Sequence, residues 1–324
     1  MLSLKNEIQI SLNFPSLHSM DKINSILIGF RLKTLPAVLG PILIAVSISI
    51  NNSVEILRIA LVISIGVFLQ VLVNLLNDMQ DFNNGLDNQN RVGPLRASQI
   101  GNLSKSEMNW ITLVIFIICL FLGFIAFLIS SFLTILAGLI LFVLAYSYTG
   151  GPKPYGYKGL GELGVIIVFG PMTVLGSLYI FDINPTSKLL LLSIIPGISA
   201  SLIILINNIR DIENDKKGEK NTIAVILGEK KSRLLYYFLV IIIMILLSIN
   251  AVTFENNYIY ITVIMTYLIF PLSDLGINRF KKKNLFPEIN IKESKISGEL
   301  NSTLIKTVAS HFILCLTISA VLLI

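Results

Sequence analysis

Long apolar runs bounded by polar clusters dominate the chain. Nine of them lie near residues 34–51, 54–76, 108–129, 131–148, 163–181, 188–207, 234–250, 257–275 and 304–324. A hydrocarbon core of about 30 Å takes about 20 predominantly apolar residues as helix, and these runs are of that order. A membrane barrel would show short alternating segments, whereas Trp110 to Ile129 is continuous. The predicted class is therefore all-α: a polytopic membrane protein, a bundle of nine transmembrane helices. Residues 1–27 read as a cytoplasmic N-terminal tail, since Lys5, Glu7 and Pro15 interrupt any signal-like apolar core. Residues 28–324 read as a single transmembrane domain.

Composition agrees with the pattern. The 324 residues are 54% hydrophobic and 14% charged, with a mean hydropathy of +0.80, too little polar surface to coat a soluble body. A net charge of +6 would suit nucleic acid, but so apolar a chain offers it no solvated basic domain. The excess instead orients the chain in the lipid bilayer. With the N-terminus inside, four internal connections (77–107, 149–162, 208–233 and 276–303) are cytoplasmic. All but two of the 25 Lys and Arg, Arg58 and Lys188, then fall at or near that side. Outer connections are minimal, so water-facing chemistry belongs in cytoplasmic loops. Cys119 and Cys315 lie in apolar runs without neighbours at metal-ligand spacing, which supports neither a disulfide framework nor a zinc site.

The candidate chemistry lies where two spans leave the membrane. The second runs into Asn74-Leu-Leu-Asn77-Asp78-Met-Gln-Asp81-Phe-Asn-Asn-Gly-Leu-Asp87, whose i, i+3 and i+4 spacings gather Asn74, Asn77, Asp78 and Asp81 toward one helical face. The sixth ends in Asn207-Asn208-Ile-Arg210-Asp211-Ile-Glu-Asn-Asp215, with Asn207, Asp211 and Asp215 at i, i+4, i+8. The shared Asn-[Asp/Asn]-x-x-Asp pattern recurs 130 residues apart on the same side and reads as an internal repeat. A lone Asp-x-x-Asp at a membrane edge is usually a solvated face; recurrence at matching topology shifts the weight to function. Clustered carboxylates repel, so they call for a cation, and all-oxygen donors favour Mg²⁺. Mg²⁺ is usually held by one or two carboxylates plus phosphate oxygens, which points to a diphosphate platform. On this reading, removing one carboxylate relieves repulsion and leaves stability untouched. Arg91, Arg96, Arg210, Lys216, Lys217 and Lys220 lie beside the motifs to neutralise a departing pyrophosphate. Lys281-Lys282-Lys283 reads as topology or anionic-lipid attraction, and His311 as a packed, hydrogen-bonded residue.

These residues resemble the UbiA-type membrane prenyltransferases. Asn77-Asp-Met-Gln-Asp-Phe-Asn-Asn-Gly-Leu-Asp87 followed by Arg91-Val-Gly-Pro-Leu-Arg96 is similar to the first motif of their 1,4-dihydroxy-2-naphthoate polyprenyltransferase branch. Asn207 to Asp215 with Thr222-Ile-Ala-Val-Ile-Leu-Gly228 resembles its second motif. Lys33-Thr-Leu-Pro36 and Lys153-Pro-Tyr-Gly-Tyr157-Lys-Gly-Leu-Gly-Glu162 agree as well. Leu32 and Asn221 depart from the pattern but touch no carboxylate.

The resemblance implies an Mg²⁺-dependent aromatic prenyltransferase of the inner (cytoplasmic) membrane, its active site facing the cytoplasm. It would join a polyprenyl diphosphate to 1,4-dihydroxy-2-naphthoate with loss of CO₂ and diphosphate, giving demethylmenaquinol. It implies Asp78, Asp81, Asp211 and Asp215 as metal-holding catalytic residues, with Asn74, Asn77, Asp87, Asn207 and Asn208 beside them. Arg91, Arg96, Arg210 and Lys153 would partner phosphate or carboxylate, and Tyr155, Tyr157 and Glu162 would shape the aromatic acceptor pocket. Two rivals stand: another acceptor such as 4-hydroxybenzoate, and an ion-coupled transporter. Transporter carboxylates lie near the midplane, whereas these stand at span ends.

Overall fold

A computed structural model of the chain describes residues 22–50, 52–83, 103–130, 132–256, 258, 259, 262, 269, 270 and 289–324; for 81–83 and 289–299 only the backbone is considered. Among the described residues all regular structure is helical. The helices are α1 (Lys22–Phe30), α2 (Pro36–Ile50), α3 (Ile56–Asn83), α4 (Lys105–Ile129), α5 (Phe132–Thr149), α6 (Gly161–Ile167), α7 (Thr173–Ile180), α8 (Ser187–Arg210), α9 (Ile212–Lys217), α10 (Ile223–Thr253) and α11 (Ile289–Leu322).

Among the described residues, seven stretches are long and apolar enough to cross a bilayer, and α1 with α2 makes an eighth only as a pair bent by 50°. With the bent pair, eight of the nine expected spans are matched among the described residues. Of the expected span at 257–275, residues 257, 260, 261, 263–268 and 271–275 lie outside the described residues. The first span differs from its sequence reading for a local reason. Arg31 sits in the left-handed region at φ 49°, and Leu32–Thr34 form a single tight turn before Pro36 opens α2. Proline suits the first turn of a helix but not its continuation, so the chain turns there.

Polar caps set the re-entry points. Ser104 accepts from the Glu107 N–H while the Glu107 carboxylate accepts from the Ser104 N–H, a reciprocal box that starts α4. Thr186 and Thr222 cap α8 and α10 with their hydroxyl oxygens, which accept from the Leu189 and Val225 N–H. The fifth span is not continuous: between α6 and α7 a π-turn covers Val168–Met172, with Gly170 outside helical geometry and Pro171 unable to donate. Gly197 of α8 crosses it there. A Cβ on Gly197 would strike the Ile166 carbonyl oxygen and lie 3.0 Å from the Gly170 Cα, so the two backbones touch because both residues lack side chains.

Helix α8 is the hub. It carries the small residues Ser193, Gly197, Ser199, Ala200 and Ser201, all buried, and 72% of its apolar stretch is buried against 6% for α5. Its Leu192, Leu202, Leu205 and Ile206 form the main core with Tyr236, Ile243 and Leu247 of α10 and Leu314 and Ile318 of α11. Helix α11 also packs on α2, so the last helix closes the bundle against the first span. His311 joins all three helices. One ring nitrogen lies 2.7 Å from the Ser199 hydroxyl and the other 3.1 Å from the Ala37 carbonyl, and the side chain is fully buried, as its sequence reading expected. Such interhelical bonds contribute about 0.6 kcal/mol on average in membranes, so this set fixes register more than it adds stability.

The outer wall is apolar. Leu113, Ile117, Leu120, Phe121, Phe124 and Leu128 of α4 are exposed, a surface far larger than a water-soluble monomer leaves open and one suited to acyl chains. Trp110 lies exposed near the start of α4, where an amphipathic ring suits the headgroup level.

Candidate active site

The first motif extends α3 past its apolar stretch as regular helix to Asn83. Asn74 ties this helix to the bend below α2. Its amide donates to the Phe30 carbonyl at 3.1 Å and the Thr34 hydroxyl at 3.0 Å, and its oxygen receives the Gln70 amide at 3.3 Å. That network holds Arg31 in its left-handed backbone, with its guanidinium ion-paired to the fully buried Asp78 carboxylate. Asn77 accepts at 2.8 Å from the Thr149 hydroxyl, at the end of α5. Asp81 occupies the final turn of α3; its side chain lies outside the described residues. Asp87, Arg91 and Arg96 lie outside them as well, as do Lys281, Lys282 and Lys283.

The second motif is not one straight helix. Helix α8 ends at Arg210, Asp211 sits at φ −98°, ψ 9°, and α9 begins at Ile212. The i, i+4 spacing survives the break, because the Asp211 N–H bonds the Asn207 carbonyl at 3.0 Å and the Asp215 N–H bonds the Asp211 carbonyl at 2.8 Å. Arg210 grips the adjacent Asp211 with two parallel bonds of 2.7 Å and donates to Asn301 of α11 at 3.0 Å. The Lys220 ammonium lies 3.8 Å from Asp215 and 5.3 Å from the centre of the Tyr157 ring, a cation–π contact. Asn207 is half-buried in the last turn of α8.

The electrostatics correct the reading of bare, repelling carboxylates. Asp78, Asp211 and Asp215 each hold a basic partner, respectively Arg31, Arg210 and Lys220, so their charge is already balanced within the chain. Among the described residues no three Asp, Glu, His or Cys side chains are gathered as a metal cage.

Residues 149–162 join the two motifs. Thr149 reaches Asn77, the Tyr157 carbonyl accepts the Asn221 N–H at 3.1 Å, and Glu162 accepts from the Asn208 amide at 2.8 Å. Glycines let aromatic rings settle against this segment. A Cβ at Gly164 would meet the Tyr155 hydroxyl at 2.6 Å, and one at Gly161 would meet the Tyr148 ring at 3.3 Å. Tyr148 and Tyr155 stand edge to face, ring centres 5.5 Å apart. Burial pushes the Tyr155 phenol up to about 12, so it remains a neutral hydroxyl. Lys153 is exposed.

The arrangement sets hard oxygen donors among cations beside an aromatic shelf, at one end of an apolar bundle. A model of the UbiA prenyltransferase family matches residues 38–284, most of the chain. The chain belongs to the UbiA prenyltransferase family. Among curated relatives, the 1,4-dihydroxy-2-naphthoate octaprenyltransferase of Haemophilus influenzae is 39% identical over 181 residues, covering 52% of this chain and 56% of that one. The Escherichia coli protein of the same name is 34% identical over 220 residues, 63% of this chain and 69% of the relative. The aligned chain therefore spans between about half and two thirds of the length of these relatives. A solved UbiA homolog from Archaeoglobus fulgidus bound to DMAPP and Mg²⁺ superposes with a TM-score of 0.60 at 16% identity, over 90% of this chain and 99% of that chain. That likeness shows the family fold.

Arg31, Thr149 and Asn301 are site neighbours that the sequence reading did not single out. Arg31 carried one signal, a cation beside Lys33 at the mouth of an apolar run. Thr149 and Asn301 carried none, since each acts through a helix remote in sequence.

Proposed function

We propose that this family member transfers a polyprenyl group from an allylic polyprenyl diphosphate to 1,4-dihydroxy-2-naphthoate, releasing diphosphate and CO₂ and forming demethylmenaquinol. The observation that carries the reading is the junction at residues 149–162, which touches both acidic motifs through Asn77 and Asn208 while presenting Tyr155, edge to face with Tyr148 of α5, beside them. A diphosphate and an aromatic ring are thereby brought to one place. The names of the naphthoate relatives support the acceptor.

The donor set suits Mg²⁺. Asp78, Asp81, Asp211 and Asp215 are all-oxygen ligands, and separate carboxylates completed by phosphate oxygens are the usual way this ion is held. When bound there, the ion supplies charge neutralisation to the departing diphosphate. The chain's own residues do the rest. Arg31, Arg210 and Lys220 balance the carboxylates before substrate arrives and are free to turn to phosphate oxygens once other cations take their place. Asn74 keeps the Arg31 bend against α3, and Thr149 orients Asn77. We assign Asn207, Asp87, Arg91, Arg96 and Lys153 to substrate binding, and Tyr155, Tyr157 and Glu162 to the acceptor side. The prenyl tail lies along apolar helix faces, which is why the site belongs at a membrane surface. We assign that surface to the cytoplasmic face of the inner membrane and residues 28–324 to one catalytic domain.

The test is incubation of the purified protein in lipid with the naphthoate, a polyprenyl diphosphate and Mg²⁺, with mass analysis. The expected product has gained the prenyl mass and lost CO₂. Product formed from 4-hydroxybenzoate alone would move the assignment to another acceptor, and release of no diphosphate with either would overturn it.

A further inference from the structure

The mechanism leaves one carboxylate oxygen unexplained. Glu162 lies in the first turn of α6 and is 5% exposed. Its Oε1 accepts the Asn208 amide at 2.8 Å, while Oε2 is buried and receives no hydrogen bond from another residue among the described ones. A buried acceptor left without a donor is costly, more so when charged, so a protein keeps one where something else satisfies it. Asn208, itself buried, holds the carboxylate in place from the second motif. Glu162 also terminates the junction that carries the Tyr155 ring, which stands edge to face with Tyr148 of α5. The Lys220 ammonium is committed to Asp215 and Tyr157.

We propose, on the prenyltransfer reading above, that Glu162 is the proton acceptor for the ring hydroxyl of the aromatic acceptor, with Asn208 as its positioning residue. The reaction requires such a group. As the ring carbon beside the hydroxyl bonds to the first prenyl carbon, the prenyl C–O bond breaks and its electron pair leaves with diphosphate. The hydroxyl O–H gives its proton to Oε2 and its electron pair forms a C=O, so no charge accumulates on the ring. Loss of CO₂ from the new quaternary carbon returns an electron pair to the ring, and Glu162 returns the proton to the oxygen. Glu162 is unchanged at the end, and every atom and charge is accounted for. General base assistance of this kind contributes typically about 10²–10⁴-fold.

The experiment compares Glu162→Gln and Glu162→Asp with the parent, each reconstituted in lipid, on two acceptors. One is the ordinary dihydroxynaphthoate; the other bears electron-withdrawing substituents that leave its hydroxyl ionised at the assay pH. Gln keeps the oxygen that Asn208 grips but cannot take a proton. On the ordinary acceptor Glu162→Gln is expected to lose at least about a hundredfold in kcat, with KM for the prenyl diphosphate within a few-fold and an unchanged Tm. Asp retains a carboxylate and is expected to fall between the two. On the ionised acceptor the gap between Gln variant and parent shrinks to a few-fold. An equal deficit on both acceptors would make Glu162 a mere strut between α6 and α8, and parent-like turnover of Glu162→Gln would dismiss it altogether. A parent that prenylates neither naphthoate overturns the underlying reading instead.

Discussion

Replacing Asp211 by Ala tests the site and its electrostatics together. The Arg210 side chain is 2% exposed and spends two of its donors on Asp211, at 2.7 Å each, and one on Asn301 at 3.0 Å. Removing the carboxylate strands a cation and two N–H groups in a poorly solvated place. Breaking a buried pair from one side costs about 3–5 kcal/mol. Because the Asp211 side chain is 16% exposed, water reaches the gap, so the low end, about 3 kcal/mol, applies. At roughly 2–4 °C per kcal/mol for large chains, Tm falls by about 6–12 °C. The expectation from sequence alone, that losing one carboxylate relieves repulsion, has the opposite sign. Turnover falls at least about a hundredfold, since a preorganised contact to the leaving group is lost. Adding Arg210→Met removes the stranded charge and restores most of the Tm but none of the turnover. Thermal unfolding in nanodiscs and product counting by mass on the same samples read both effects. An Asp211→Ala variant with parental Tm refutes the ion-pair argument; one with parental turnover refutes the site.

Gly197→Ala should destabilise by about 1–3 kcal/mol or more, because the new methyl meets backbone at Ile166 and Gly170 that cannot swing aside; an unchanged unfolding midpoint would contradict the crossing described here. Chelation of divalent ions should abolish turnover and Mg²⁺ restore it, while full activity after chelation would give the Asp residues another role. In a protein whose Cys119 and Cys315 are replaced, a single cysteine at Glu219 should react with impermeant reagent only from the cytoplasmic side; labelling from outside would invert the topology. Gly164→Ala should raise the KM for the aromatic acceptor more than that for the prenyl diphosphate, since it displaces Tyr155. Equal changes in both would remove Tyr155 from the acceptor side.

The all-α class, the positions of most spans and the two acidic motifs were legible in the chain itself. Bilayer thickness, helical periodicity and charge asymmetry act locally or by simple alternation, so they leave their mark in linear order. Asn74, Asn77 and Asp78 could be placed on a helix extending α3 because i, i+4 spacing is a property of one segment. What stands opposite those residues was not legible. The Arg31 partner of Asp78 depends on a left-handed residue and a 50° bend before Pro36, and Asn301 reaches Arg210 only because α11 folds back against α8. The same holds for the break at Gly170 and Pro171, whose meaning is the backbone of Gly197 crossing it. Which charges are paired, and hence whether a carboxylate strains or stabilises the fold, is a matter of distances between segments remote in sequence. Only the packed bundle sets those distances, through small residues at helix crossings and polar bonds that water cannot replace inside a membrane.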